Sequence, residues 1–144
     1  MQLPRRKQRE ILLQLLFSWE VSNGLSIEDP ADILMESLEI SKKNVMGMDG
    51  KIQEIIKHVN EIDETLAKAS LEYSLERISL IDKNILRIAI FELLFEKDEP
   101  RLPPKIVIEE ALRLSKKFSS PEAVSYVHAI VDEVYQNEKA TSSV

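Results

Sequence analysis

Arg5, Arg6, Lys7 and Arg9 put four cations, and no acid, into the first nine residues of the chain. They lead straight into an amphipathic pattern that starts near Pro4, which places them at the N-terminus of a helix. Cations there oppose the helix macrodipole, at about 0.3–1 kcal/mol each when exposed. An anion bound there would be held by the side chains, the free backbone N–H groups and the dipole together. A phosphate backbone is the ligand that fits, and a solvated basic tail is the competing reading. The rest of the chain sharpens the contrast: residues 1–9 carry +4 and residues 10–144 carry −10, giving a net charge of −6.

A second cationic pair, Lys116-Lys117, stands beside Phe118 at the end of a later helix. Cations complement a helix C-terminus, so a structural role competes with binding there. Tyr126 follows early in the last helix. An aromatic ring near basic groups can stack on an unpaired base, as in recognition of single-stranded RNA, or it can belong to the core margin. Arg6 and Glu10 are spaced to pair at i,i+4, which would dilute the patch, whereas Arg5 and Arg9 share a face free of acid.

Catalytic readings are poor. His58 has Glu54 before it and Glu61 after it, a weak metal pair with no third ligand, and a solvated helix face accounts for it better. His128 falls between Val124 and Val131 on the apolar stripe of the last helix, which predicts a hydrogen-bonded side chain at the core margin. Glu109-Glu110 and Asp98-Glu99 are adjacent carboxylates, and neighbours on a helix face different ways rather than forming an acid/base dyad. The absence of cysteine excludes disulfides, thiolate metal sites and cysteine catalysis. No phosphate-cradling glycine loop, nucleophile elbow or metal motif is present. The sequence therefore predicts a non-enzyme with no cofactor and no metal.

The elements that would carry these residues are helical. At 44% hydrophobic and 31% charged, with three glycines and six prolines, the chain has the composition of one globular domain and too few turn residues for an all-β fold. Leu12, Leu15, Leu16 and Trp19 make the stripe of a first helix from about Pro4 to Ser22. Asp29, Pro30 and Asp32 signal the start of a second, with Leu34, Met35 and Leu38 on its apolar face. Ile52, Ile55, Ile56 and Val59 mark a third, and Ile62 to about Tyr73 a weaker fourth. The segment Ser79–Phe95 is apolar almost all round, which predicts the most buried element, with Ser79 and Asp82 as its capping signal. After Pro100, Pro103 and Pro104 a helix runs over about 104–118, with Ile108, Ala111 and Leu112 inward. Ser120-Pro121 opens the last, which reaches about Gln136. Residues 137–144 read as a disordered polar tail after a single helical domain over 1–136. The apolar runs Ile88–Phe91 and Leu93–Phe95 are too short to span a bilayer, and Glu10, Gln14 and Glu20 interrupt any signal-peptide core. A soluble, cytoplasmic protein without a membrane role is expected.

Several segments resemble one family in order. The opening Arg5-Arg6-Lys7-Gln8-Arg9-Glu10 with Gln14-Leu15-Leu16-Phe17-Ser18-Trp19-Glu20 is similar to the start of the NusB family of bacterial transcription antitermination factors. Residues Asp82 to Leu93 resemble its central helix, and Pro104 to Ala111 with Leu114 to Phe118 the next one. Ile62-Asp63 and Leu75-Glu76-Arg77 also match, so the likeness runs from about residue 5 to 135. It implies an all-α, compact two-lobed bundle of about seven helices that binds RNA without catalysis. The family pairs with NusE, a small-subunit ribosomal protein, and binds the boxA element of nascent RNA, chiefly in rRNA operons, within the transcription elongation complex. By position, Arg5, Arg6, Lys7 and Arg9 would contact RNA, with Phe17, Lys117, Glu122 and Tyr126 lining or bordering that surface. The face around Arg77, Asp82 and Arg87 would meet NusE.

The chain departs from the family where Tyr126-Val127-His128-Ala129 replaces an aromatic-Val-Asn-Gly run, a change that adds volume and predicts altered local packing or an altered contact. Ser74 stands where Trp is common and Glu109 where Asn is common. Two other classes compete: a helical protein-interaction module without RNA affinity, and a helical domain detached from an RNA methyltransferase. Monomer and homodimer are both open, because a basic RNA face and a dimer face look alike in sequence.

Overall fold

The computed structural model describes residues 5–21, 49–70, 78–97 and 102–142. Among them are six helices and no strand: α1 (Arg5–Val21), α2 (Asp49–Lys57), α3 (Val59–Ala69), α4 (Leu80–Leu94), α5 (Pro104–Phe118) and α6 (Pro121–Ser142). The all-helical expectation holds. The helix expected near Asp29–Leu38 lies outside the described residues.

The chain forms two compact units, Met1–Lys57 and His58–Val144. In the first, α1 packs on α2. Ile11, Leu12, Leu13, Leu15 and Leu16 are buried on one helix and Ile52 and Ile55 on the other, as their spacing requires. In the second, α4 and α6 pack on each other, and α3 and α5 each pack against both. That arrangement explains the composition of α4. A helix contacted from three sides cannot keep a polar face, and Ile85, Leu86, Ile88, Ala89, Ile90, Phe91 and Leu93 are all buried.

The caps follow the local chemistry. Ser79 holds extended backbone angles, and its Oγ accepts the Asp82 N–H at 3.1 Å, closing the first turn of α4. Pro104 takes the first position of α5, where its missing N–H is no loss. Ser120 Oγ accepts the Ala123 N–H at 3.3 Å, with Pro121 opening α6.

Three expectations need correction. Helix α6 continues to Ser142, so residues 137–142 are helical rather than a disordered tail. The buried line of α5 is Val107, Ala111 and Leu114, with Ile108 and Leu112 half-buried, because the stripe sits one residue round from the expected one. On α6 the buried line is Ala123, Val127, Ile130, Val131 and Val134. His128 and Ala129 project into solvent, so the two departures from the family alter surface and not packing.

Candidate nucleic-acid interface

The first turn of α1 contains no acidic residue, and Arg5, Arg6 and Lys7 are exposed on it. Arg9 differs: it is 7% exposed and so belongs to the interior rather than to a docking surface. A position one turn into an amphipathic helix is turned inward by the same periodicity that buries Leu12, Leu13 and Leu16. Glu10 is also buried, and its carboxylate lies 3.7 Å from Lys7 Nζ. Arg5, Arg6 and Lys7 therefore face solvent here, and Lys7 lies beside an acid. Phe17, further along the helix, is half-buried.

A second group lies at the corner between α5 and α6. Lys116 and Lys117 are exposed in the last turn of α5, and Lys117 Nζ stands 5.5 Å from the centroid of the Phe118 ring. Glu122 is exposed in the first turn of α6, and the half-buried Tyr126 follows one turn later on the same face. Sequence neighbourhood thus brings Lys117, Glu122 and Tyr126 to one corner.

Tyr126 does more than line a surface. Its hydroxyl donates to Asp82 Oδ2, which also accepts the Ser79 hydroxyl at 2.8 Å. Asp82 is 2% exposed, and its other oxygen, Oδ1, is buried without a partner. A hydrogen bond to a buried charge is worth about 1.5–3 kcal/mol, so this contact ties α6 firmly to the cap of α4. The phenol's pKa is raised well above its ordinary value, first by burial and then by the bond to Asp82 and its negative charge.

The residues expected to meet a protein partner are placed differently. Arg77 lies outside the described residues. Asp82 and Arg87 are inside the fold: Arg87 is 3% exposed and grips Asp63 with two bonds, Nε to Oδ1 at 2.8 Å and Nη2 to Oδ2 at 2.7 Å. Its Nη1 donates to Asn84 Oδ1 at 3.0 Å, and Asn84 in turn donates to the Leu80 carbonyl. Neither side chain is therefore a contact surface. Desolvated charges on so apolar a helix need partners, and the partners come from α3 and α6. Spacing gave no signal for either pairing, since Asp63 and Tyr126 stand 24 and 44 residues away.

His58 is neither solvated nor metal-like. Its ring stacks on Phe95 with centroids 4.6 Å apart, and its Nδ1 lies 3.5 Å from Glu61. No group of three metal-ligating side chains occurs among the described residues. A groove of about 300 Å³ is lined by Glu92, Leu93, Leu102, Pro104, Tyr135 and Glu138, a set without a serine, cysteine, lysine or histidine. No described helix is long and apolar enough to cross a membrane.

The described residues are thus all-helical, with a cationic first turn in one unit and an aromatic corner in the other. The NusB family model matches residues 6–136. The NusB of Methylacidiphilum infernorum, a transcription antitermination protein, is 30% identical over 135 residues, covering 94% of this chain and 92% of that protein. The structure of T. maritima NusB superposes with a TM-score of 0.77 at 31% identity, covering 94% of this chain and 93% of that one. A crystal structure of the antitermination factors NusB and NusE with double-stranded RNA shares the fold, with a TM-score of 0.76 at 22% identity over 92% of this chain and 96% of that one. The chain belongs to the NusB family of transcription antitermination proteins, which are not enzymes.

Proposed function

We propose that this protein acts in antitermination by binding a boxA-like single strand of RNA together with NusE. The first turn of α1 supplies the phosphate contacts, and a few side chains near Tyr126 discriminate bases. One observation carries the reading: in a chain of net charge −6, Arg5, Arg6 and Lys7 are exposed on a helix N-terminus that holds no acid. The structural relative that contains NusE and RNA supports both partners. The cytoplasm, the elongation complex and rRNA operons are where such an activity would operate. The acidic remainder of the chain repels RNA elsewhere, which keeps affinity modest and leaves NusE to add surface.

With Arg9 interior, the exposed cations of this turn are Arg5, Arg6 and Lys7, so at most three phosphate contacts arise here. Log affinity for a boxA RNA should then fall against log salt with a slope of about −2, using roughly 0.7 per contact for a single strand. Replacing Arg5 and Arg6 with Ala should flatten the slope to about −0.7 while leaving capture of NusE in the absence of RNA unchanged. A slope near zero for the wild type, with NusE still bound, would instead favour a protein-interaction module. The same titration on a double strand of equal length tests the preference for an unpaired one.

A further inference from the structure

We infer that Asp82 is a positioning residue for RNA recognition: by holding the Tyr126 hydroxyl it fixes the ring as a platform for stacking a base. The inference deepens the RNA-binding reading above and rests on it. It is carried by the geometry of one carboxylate. Asp82 Oδ2 receives two hydroxyls, from Tyr126 and Ser79, while Oδ1 is buried with no donor. A buried carboxylate so short of donors does not release one readily, because losing it would leave the charge further unsatisfied.

Two consequences follow for Tyr126. A phenol has a single proton, and this one is engaged by Asp82, so the side chain cannot donate to a base edge or a phosphate. The hydroxyl oxygen can only accept, and the ring is half-buried on α6 one turn beyond the exposed Glu122. Stacking depends on the ring being held at one angle, and the ring's far end is pinned to the first turn of α4. The carboxylate also keeps phosphate away from the hydroxyl end of the ring by like-charge repulsion. Tyr126 therefore selects for a base rather than for backbone.

The test uses a single-stranded boxA-like RNA carrying 2-aminopurine at successive positions, whose fluorescence is quenched when the analogue stacks. Wild type should quench one position strongly, and Tyr126→Ala should abolish that quench. Tyr126→Phe keeps the ring but loses the tether, and Asp82→Asn weakens the acceptor. Both should lose most of the quench while affinity falls only a few-fold, since the cations of α1 are untouched. The double variant should be no worse than either single, as expected of two ends of one contact. Asp63→Asn loosens the Arg87 pair elsewhere on α4 and serves as a stability control: it should lower the melting temperature and leave the quench in place. A full quench in Tyr126→Phe overturns the inference while leaving RNA binding intact. A quench lost equally in Asp63→Asn also overturns it, because general loosening would then explain the result. Wild type that binds no RNA overturns the RNA-binding reading, and this inference with it.

Discussion

Arg87 and Asp82 lie one and a half turns apart on α4, and both are charged side chains inside an apolar helix. Each is tolerable only because its charge is met: Arg87 by the two oxygens of Asp63 and by Asn84, Asp82 by two hydroxyls and the first-turn dipole. Truncating Arg87 to Ala leaves Asp63 without its partner and opens a void. Urea unfolding should show a loss of about 3 kcal/mol, at the low end for a buried pair because Asp63 is one-third exposed. Tyr126 adds a pH dependence. Its phenol is pushed above the ordinary value, so above about pH 10 the unfolded chain loses that proton while the folded one keeps it. The contribution is complete below about pH 10 and is lost as pH climbs through the folded value. Unfolding measured across this alkaline window should show Tyr126→Phe losing stability less steeply than wild type.

At the scale of the element, the helices are set by their ends as much as by their stripes. Ser79 closes α4 through the Asp82 N–H, and the same hydroxyl donates back to the Asp82 carboxylate. Ser79→Ala removes both, and thermal or urea unfolding should register a loss of about 1 kcal/mol, typical of an N-cap Ser. Helix α6 shows where stripe reading fails. Its apolar residues fit two neighbouring lines, and the packing against α3, α4 and α5 chooses the one through Ala123, Val127 and Val134. His128, a single residue beyond Val127, is thereby turned about 100° away into solvent. The helix also outlasts its expected end, because Gln136, Asn137, Glu138 and Lys139 are exposed and a solvated helical turn requires no apolar face.

At the scale of the molecule, the net charge is −6, and among the described residues the first turn of α1 and the last turn of α5 each group exposed cations without an acid in that turn. The salt slope of about −2 is a property of that distribution, and adding charge at either cationic group should steepen it. Much of this plan was legible beforehand. The cationic first turn, the apolar central helix and the Ser79 and Ser120 caps follow from residue type and spacing within one or two turns. The roles of Arg9, Asp82 and Arg87 were not legible. A charged residue beside an apolar stripe looks the same in sequence whether it faces water or a partner.

The sequence alone therefore determined the helical class, the helix starts and the basic N-terminal turn, because capping bonds and the 3.6-residue repeat act between residues three or four apart. Only the tertiary structure decided which charges remain at the surface. Arg87 finds its acid 24 residues away on α3, and Asp82 finds its phenol 44 residues away on α6. Such pairings exist only once helices have packed side by side, and no local pattern of residues encodes which helix will supply the partner.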